Sequence, residues 1–201
     1  MVGTTTLKGS SVLEQAATHP EMKTHAFETV ALPHLNDLFR TATRLLGSQT
    51  EAEDIVQETY LSAWKSFSRF EPGTDCRAWL FTIMFNAIRQ HRRKWFDRKV
   101  SRDTDEVLDE ALAYTPPVPE ELTDEQVLFA LDAIPEQFRA VLLLADVQEF
   151  SYKEVSKILK VPVGTVMSRL SRGRGLLRAA LGDLAHSYGI NMSRQENPLR
   201  A

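Results

Sequence analysis

Guanidinium, amide and hydroxyl side chains hydrogen-bond to base edges and phosphates, and this chain gathers them at two places. Between Asn86 and Arg102 lie Arg89, Arg92, Arg93, Lys94, Arg98, Lys99 and Arg102, with Gln90 among them and only Asp97 opposed. Amides interleaved with Arg, then Trp95 and Phe96, can pair with bases, pair with phosphates and stack. Basic residues at the end of a helix are also favoured by the helix dipole alone, so this block by itself leaves a solvated helix end open. The second place runs from Lys160 to Arg178, with Lys160, Arg169, Arg172, Arg174 and Arg178 and no acid. If Val166 and Leu170 face a core, Thr165, Ser168, Arg169 and Arg172 share the other side of one helix, at spacings of three and four. Arg there can read guanine with two hydrogen bonds, Ser and Thr can serve either role, and the helix start at Gly164-Thr165 offers backbone N–H groups to a phosphate.

Between the two blocks the charge reverses. Asp103, Asp105, Glu106, Asp109, Glu110, Glu120, Glu121, Asp124 and Glu125 follow one another with no Lys or Arg. The 201-residue chain has a formal net charge of −3, a value that argues against nucleic acid only if charge is evenly spread. It is not.

Helices must position these groups. From Lys23 to Leu46 the residues Phe27, Val30, Leu35, Leu38, Phe39, Ala42, Leu45 and Leu46 recur at helical spacing. Pro33 suits a helix start, so the segment is two helices or one kinked helix, and Gly47 suits its C-terminus. Thr50 with Glu53 forms a capping box for a helix whose stripe is Val56, Tyr60, Ala63, Trp64 and Phe67. The chain breaks at Glu71-Pro72-Gly73-Thr74, and Asp75 caps a helix running to about Trp95. Thr123 with Gln126 caps a further helix ending at Ile134, and Pro135 fits the first turn of the next, which runs out near Gln148-Glu149-Phe150. Ser151 and Glu154 make another capping box. The turn Lys160 to Gly164 then leads into a last helix with Val166, Leu170, Leu177 and Leu181 inward. Helix, short turn with Gly, helix is the layout of a helix-turn-helix. The spaced aromatics Trp64, Phe67, Phe70, Trp79 and Phe81 suit a core more than a base-stacking surface.

The expected fold is all-α: two small helical domains joined by an acidic flexible linker, the second a four-helix domain ending in a helix-turn-helix. The expected boundaries are a tail over 1–22, a first domain over 23–96, the linker over 97–122, a second domain over 123–185 and a tail over 186–201. One cysteine, Cys76, allows no internal disulfide. The longest apolar run, Ala140 to Ala145, is far short of the ~20 residues that span a bilayer. The first residues lack a signal-peptide pattern. A cytoplasmic protein without membrane contact of its own is expected. His19, His25, His34, His91 and His186 lack metal-ligand spacing, Gly173-Arg174-Gly175 does not complete a phosphate loop, and nothing in the sequence supplies a base for Cys76. No enzyme, catalytic residue, metal or cofactor is therefore expected.

The motifs carry a family resemblance. EAEDIVQETYLSAWKSF, then CRAWLFTIMFN with the basic RQHRRK after it, resembles the second conserved region of extracytoplasmic-function sigma factors, the promoter-recognition subunits of bacterial RNA polymerase. AIPEQFRAVLLLADVQEFSYKEVSKILKVPVGTVMSRLSRGRGLLR resembles their fourth region. The resemblance covers about 27–96 and 123–182. It implies that Asp54, Gln57, Glu58, Leu61 and Trp64 dock on the clamp helices of core RNA polymerase. It implies that Asn86, Arg89, Gln90, Arg93 and Lys94 read the −10 element, and that the loop Phe70 to Asp75, with Thr74, captures a base flipped from the opened strand. Thr165, Val166, Ser168, Arg169, Arg172 and Arg174 match the reader of duplex −35 DNA. The linker resembles a segment threading toward the polymerase cleft, and an anti-sigma factor is the implied regulatory partner. Thr74-Asp75-Cys76 departs from the family pattern of a polar residue followed by Phe, and Gln90 replaces an acid or Asn. The alternative is a stand-alone, two-domain helix-turn-helix transcriptional regulator, which would bind duplex DNA without polymerase, usually as a dimer.

Overall fold

The computed structural model describes residues 20–71, 73–98 and 124–187, and among these every regular element is helical. Residues 20–22 and 186–187 of the expected tails and 97–98 of the expected linker are helical, so the helices run past those boundaries, while residues 1–19, 99–122 and 188–201 and the Thr123 cap lie outside the described residues. The described chain groups into two compact units, the described part of the second beginning at Asp124, with residues 156–160 grouped with the first.

The first unit contains α1 (Pro20–Ala31), α2 (Leu35–Leu46), α3 (Gln49–Ser66) and α4 (Cys76–Arg98). A 3₁₀ turn, Leu32–His34, separates α1 from α2. Pro33 lies inside that turn, so the Pro33 segment is two helices. Gly47 ends α2 at φ 70°, donating its N–H to the Thr43 carbonyl at 2.9 Å; an L side chain is disfavoured in that left-handed conformation. The cap of α3 differs from expectation. Ser48 is extended and its Oγ accepts the Glu51 N–H at 3.3 Å, so the Ser48/Glu51 pair replaces Thr50/Glu53. The reason is the neighbouring turn: with Gly47 closing α2, Ser48 is the one residue left to make the connection.

Leu38, Ala42 and Leu45 of α2, Ala52, Ile55, Val56 and Ala63 of α3, and Leu80, Phe81 and Met84 of α4 form the core. Thr41 and Thr59 are buried with them, and each hydroxyl donates to the carbonyl four residues back (Asp37, 2.8 Å; Ile55, 2.7 Å). Neither hydroxyl therefore bears an uncompensated desolvation cost. Phe27 of α1 meets Tyr60, Trp64 and Phe67 edge-on, with ring centroids 6.3, 5.3 and 5.1 Å away, a favoured aromatic geometry. The Tyr60 hydroxyl donates to the Ala31 carbonyl at 2.8 Å, tying α1 to α3.

The second unit contains α5 (Asp124–Asp132), α6 (Glu136–Leu142), the first half of α7 (Tyr152–Leu159, whose residues from Ser156 on group with the first unit) and α8 (Val163–Ser187). Helix α5 ends at Asp132 instead of Ile134, and Pro135 occupies the N-cap of α6 rather than its first turn. Helix α6 does not run regularly to Gln148. It widens into a π-helical turn, Leu143–Val147, with Gln148 N–H on the Leu143 carbonyl at 2.9 Å and Glu149 at φ 55°. Ser151 caps α7 reciprocally, as expected: Glu154 Oε2 accepts from the Ser151 N–H at 2.8 Å and from its Oγ at 2.7 Å. Val141, Leu142, Leu144, Phe150, Val155, Val166 and Leu170 are buried. Helix α8 packs across α5 and α6. The approach is close at Gly173, where a Cβ would lie 3.2 Å from Leu142 and 3.3 Å from Phe138.

Candidate nucleic-acid and polymerase interface

Helix α8 is presented by the turn before it. Lys160 takes φ 58°, a conformation uncommon for a side-chain-bearing residue, and reverses the chain between α7 and α8. Val166 is 0% and Leu170 2% exposed, so these two residues set which side of α8 faces outward. Ser168 and Arg172 are exposed and Thr165 and Arg169 half-buried beside them. The hydroxyl of exposed Ser168 donates to the Thr165 carbonyl at 3.1 Å, which leaves its oxygen able to accept. Four of the six residues matched to a −35 reader thus share one side.

The other two do not. Val166 is core and anchors the helix without presenting a side chain. Arg174 is committed elsewhere: its Nε donates to Asp146 Oδ2 at 3.0 Å and its Nη2 to Asp146 Oδ1 at 2.6 Å. These hydrogen bonds push the Arg174 guanidinium pKa further upward. Arg174 lines a shallow groove of about 230 Å³ on the flank of α8, together with Tyr152, Met167 and Arg178. Met167 is 54% exposed there.

On α4 the basic end follows the same logic. Asn86, Arg89, Gln90, Arg93 and Lys94 recur at three and four residues, which places them on one face. Arg89 Nη2 donates to Asn86 Oδ1 at 2.6 Å, so amide and guanidinium form one preset unit. Partial burial draws the Arg89 pKa below its ordinary range. Gln90 and Arg93 are exposed, and the side chain of Lys94 lies outside the described residues. At the start of α4, Asp75 Oδ1 accepts the Ala78 N–H at 3.1 Å, the expected cap. Thr74 Oγ1 donates to the Glu71 carbonyl at 2.7 Å, and Gly73 turns the loop at φ 87°. Phe70 stacks on Phe67 at 5.9 Å and meets Trp79 at 4.9 Å, so the loop begins on the aromatic cluster. Phe67 and Phe81 are core, as expected, while Phe70 and Trp79 are half-buried.

Along α3, Asp54, Gln57 and Glu58 are exposed, and Leu61, at 54% exposure, stands among them. Trp64 closes this stripe. Its ring meets Phe27 edge-on and carries Lys23 Nζ 4.7 Å from its centroid. An acidic face around an exposed leucine suits a basic partner with an apolar pocket.

Residues 31–96 match the family model for Sigma-70 region 2, and residues 124–177 match that for Sigma-70, region 4. The chain is 37% identical over 149 residues to the ECF RNA polymerase sigma factor EcfG of Rhodopseudomonas palustris, covering 74% of this chain and 81% of that one. The chain belongs to the ECF sigma factors.

A second relative is the ECF RNA polymerase sigma factor SigE of Mycolicibacterium smegmatis, 33% identical over 178 residues. The match covers 85% of this chain and 66% of that relative's length. Among solved structures, the sigma factor RpoE of Bartonella quintana, in complex with the anti-sigma factor NepR, is 33% identical with a TM-score of 0.63. That match covers 78% of this chain and 97% of the other. Three features of this sigma factor escaped the sequence reading. Asp146, the partner of Arg174, is 28 residues away and carries no local signal. Lys23 meets Trp64 only through the packing of α1. Gly173 did have a signal, a glycine inside a strongly patterned helix, which marks a close approach.

Proposed function

We propose that this sigma factor docks on core RNA polymerase through Asp54, Gln57, Glu58, Leu61 and Trp64 of α3 and reads the −35 element with Thr165, Ser168, Arg169 and Arg172 of α8. Asn86, Arg89, Gln90, Arg93 and Lys94 contact the −10 element, and the loop from Phe70 through Thr74 to Asp75 holds a base extracted from the opened strand. The domains for these tasks are 23–96 and 123–185, joined by the acidic linker. The role is non-enzymatic. Strand opening draws on the exchange of stacked, paired bases for protein contacts, a few kcal/mol per flipped base, without ATP. A protein inhibitor of the anti-sigma class is the regulatory partner; the NepR complex of the Bartonella quintana relative supports this. Among the described residues no helix is long and apolar enough to cross a membrane, which is compatible with a cytoplasmic site of action.

One observation carries the reading: the outward side of α8 presents Ser168 and Arg172 flanked by Thr165 and Arg169, on a helix whose inward side is buried at Val166 and Leu170. The test is run-off transcription from a promoter library by purified core polymerase, with and without the protein. Defined new transcripts only when both are present are expected. Sequence-specific duplex binding by a dimer, with no polymerase-dependent transcript, would refute it in favour of a stand-alone regulator.

A further inference from the structure

The π-helical turn Leu143–Val147 and the Asp146–Arg174 pair meet at one point, and neither is explained by the contacts to polymerase and promoter proposed above. A π-turn inserts an extra residue into a helix and redirects the side chains that follow; such turns are rare and recur at functional positions. Here the redirected residue is Asp146, whose two carboxylate oxygens both meet Arg174, at 3.0 and 2.6 Å. At 3.6 residues per turn, Arg174 lies about 140° around α8 from Arg169 and about 160° from Arg172. It therefore points away from the reading side. The pair is partly solvent-exposed, with the Arg174 and Asp146 side chains 46% and 34% accessible. Exposed ion pairs contribute little to stability, whereas a two-bond guanidinium–carboxylate contact fixes orientation strongly.

Orientation is what α8 needs. One residue earlier, Gly173 presents no side chain to Leu142 and Phe138, so at this close approach α8 has no knob of its own to resist rolling. A side chain projects roughly 5–6 Å from the helix axis, so a roll of about 10° moves its tip by about 1 Å. A shift of that size degrades a paired hydrogen-bond contact to a base. We infer that Asp146 is a positioning residue for promoter reading: by gripping Arg174 from the π-turn, it sets the rotation of α8 and thereby where Arg169 and Arg172 meet the −35 element. This rests on the proposed −35 role of α8.

The experiment uses the full-length protein with core polymerase and the best promoter from the wild-type library, intact or with its −35 element scrambled. The readout is the ratio of transcription from the two templates. Asp146→Asn and Arg174→Ala are each expected to lower that ratio about 5- to 10-fold, with core-polymerase binding unchanged. The exchanged pair Asp146→Arg/Arg174→Asp is expected to restore at least half of it. A merely structural role would lower transcription from both templates alike and leave the ratio unmoved. An unchanged ratio in Asp146→Asn overturns the inference. So does an Arg174→Ala variant that weakens binding to all sequences equally and flattens the salt dependence, since that marks Arg174 as a phosphate contact. Loss of helical signal that the exchanged pair does not recover also counts against it. If wild-type transcription ignores the −35 scramble, the −35 assignment of α8 is what fails, a result distinct from all of these.

Discussion

Arg169 sits at the edge of the outward side of α8, with Ser168 on one flank and buried Leu170 on the other. Its replacement by Ala is expected to weaken promoter-specific transcription by the worth of one paired Arg–base contact, about 1–3 kcal/mol. Affinity for core polymerase should stay unchanged; equal activity on the intact promoter would remove Arg169 from the reader. A second residue-scale expectation concerns pH. Burial, with the Asp75 charge adding to it, raises the Cys76 thiol from 9.0 to about 11. Burial also raises the Tyr60 phenol, with a lesser part from Cys76, from 10.0 to about 12. Between the ordinary and the raised values the folded chain keeps protons that the unfolded chain has released. Stability is therefore full below about pH 9 and falls as pH rises through about 11 to 12. Melting temperatures measured across that range should decline, and Cys76→Ala should flatten the part of the decline between about pH 9 and 11. A slope identical in the variant would show that Cys76 does not contribute.

At the scale of elements, helix ends decide geometry. Ser48, not Thr50, caps α3. Ser48→Ala is expected to lower stability by about 1 kcal/mol, the usual worth of an N-cap. Thr50→Ala, at an exposed site within the helix, should stay within about 0.5 kcal/mol. Urea midpoints of the two variants followed by circular dichroism separate the cases, and the reverse ranking would put the cap at Thr50. The pattern Ser-x-x-Glu stands at 48–51 as plainly as Thr-x-x-Glu stands at 50–53; Gly47 in the left-handed conformation selects between them. The π-turn had no comparable signal. Ala140 to Ala145 reads as continuous helix, because a one-residue widening leaves hydrophobic spacing nearly intact.

At the scale of the whole molecule, charge is organised in blocks along the chain. The acids from Asp103 to Glu125 stand between two basic blocks and bring the sum to −3. Free carboxylates tethered to a DNA-binding surface oppose its attraction for phosphate over distances comparable to the Debye length, about 10 Å at 0.1 M salt. Replacing Asp103, Asp105, Glu106, Asp109 and Glu110 with Asn or Gln is expected to raise the free protein's affinity for DNA at low salt, with the gain shrinking as salt is added. A salt titration showing no difference from wild type would reject this screening.

What the sequence determined by itself was periodic or local. Helical spacing of apolar residues separated the inward from the outward side of α2, α3 and α8, and Ser151/Glu154, Asp75 and Gly47 marked helix ends because caps act within four residues. That sufficed for the all-α fold, for the outward side of α8 and for the acidic face of α3. Tertiary structure decided what depends on distant pairs. It assigned Arg174 to Asp146, Lys23 to Trp64 and Gly173 to Leu142, and it kept Val166, placed inward by apolar spacing but among the contacts by family resemblance, in the core. A guanidinium beside a reading helix can face a phosphate or a carboxylate, and only the path of the chain 28 residues upstream determines which one it meets.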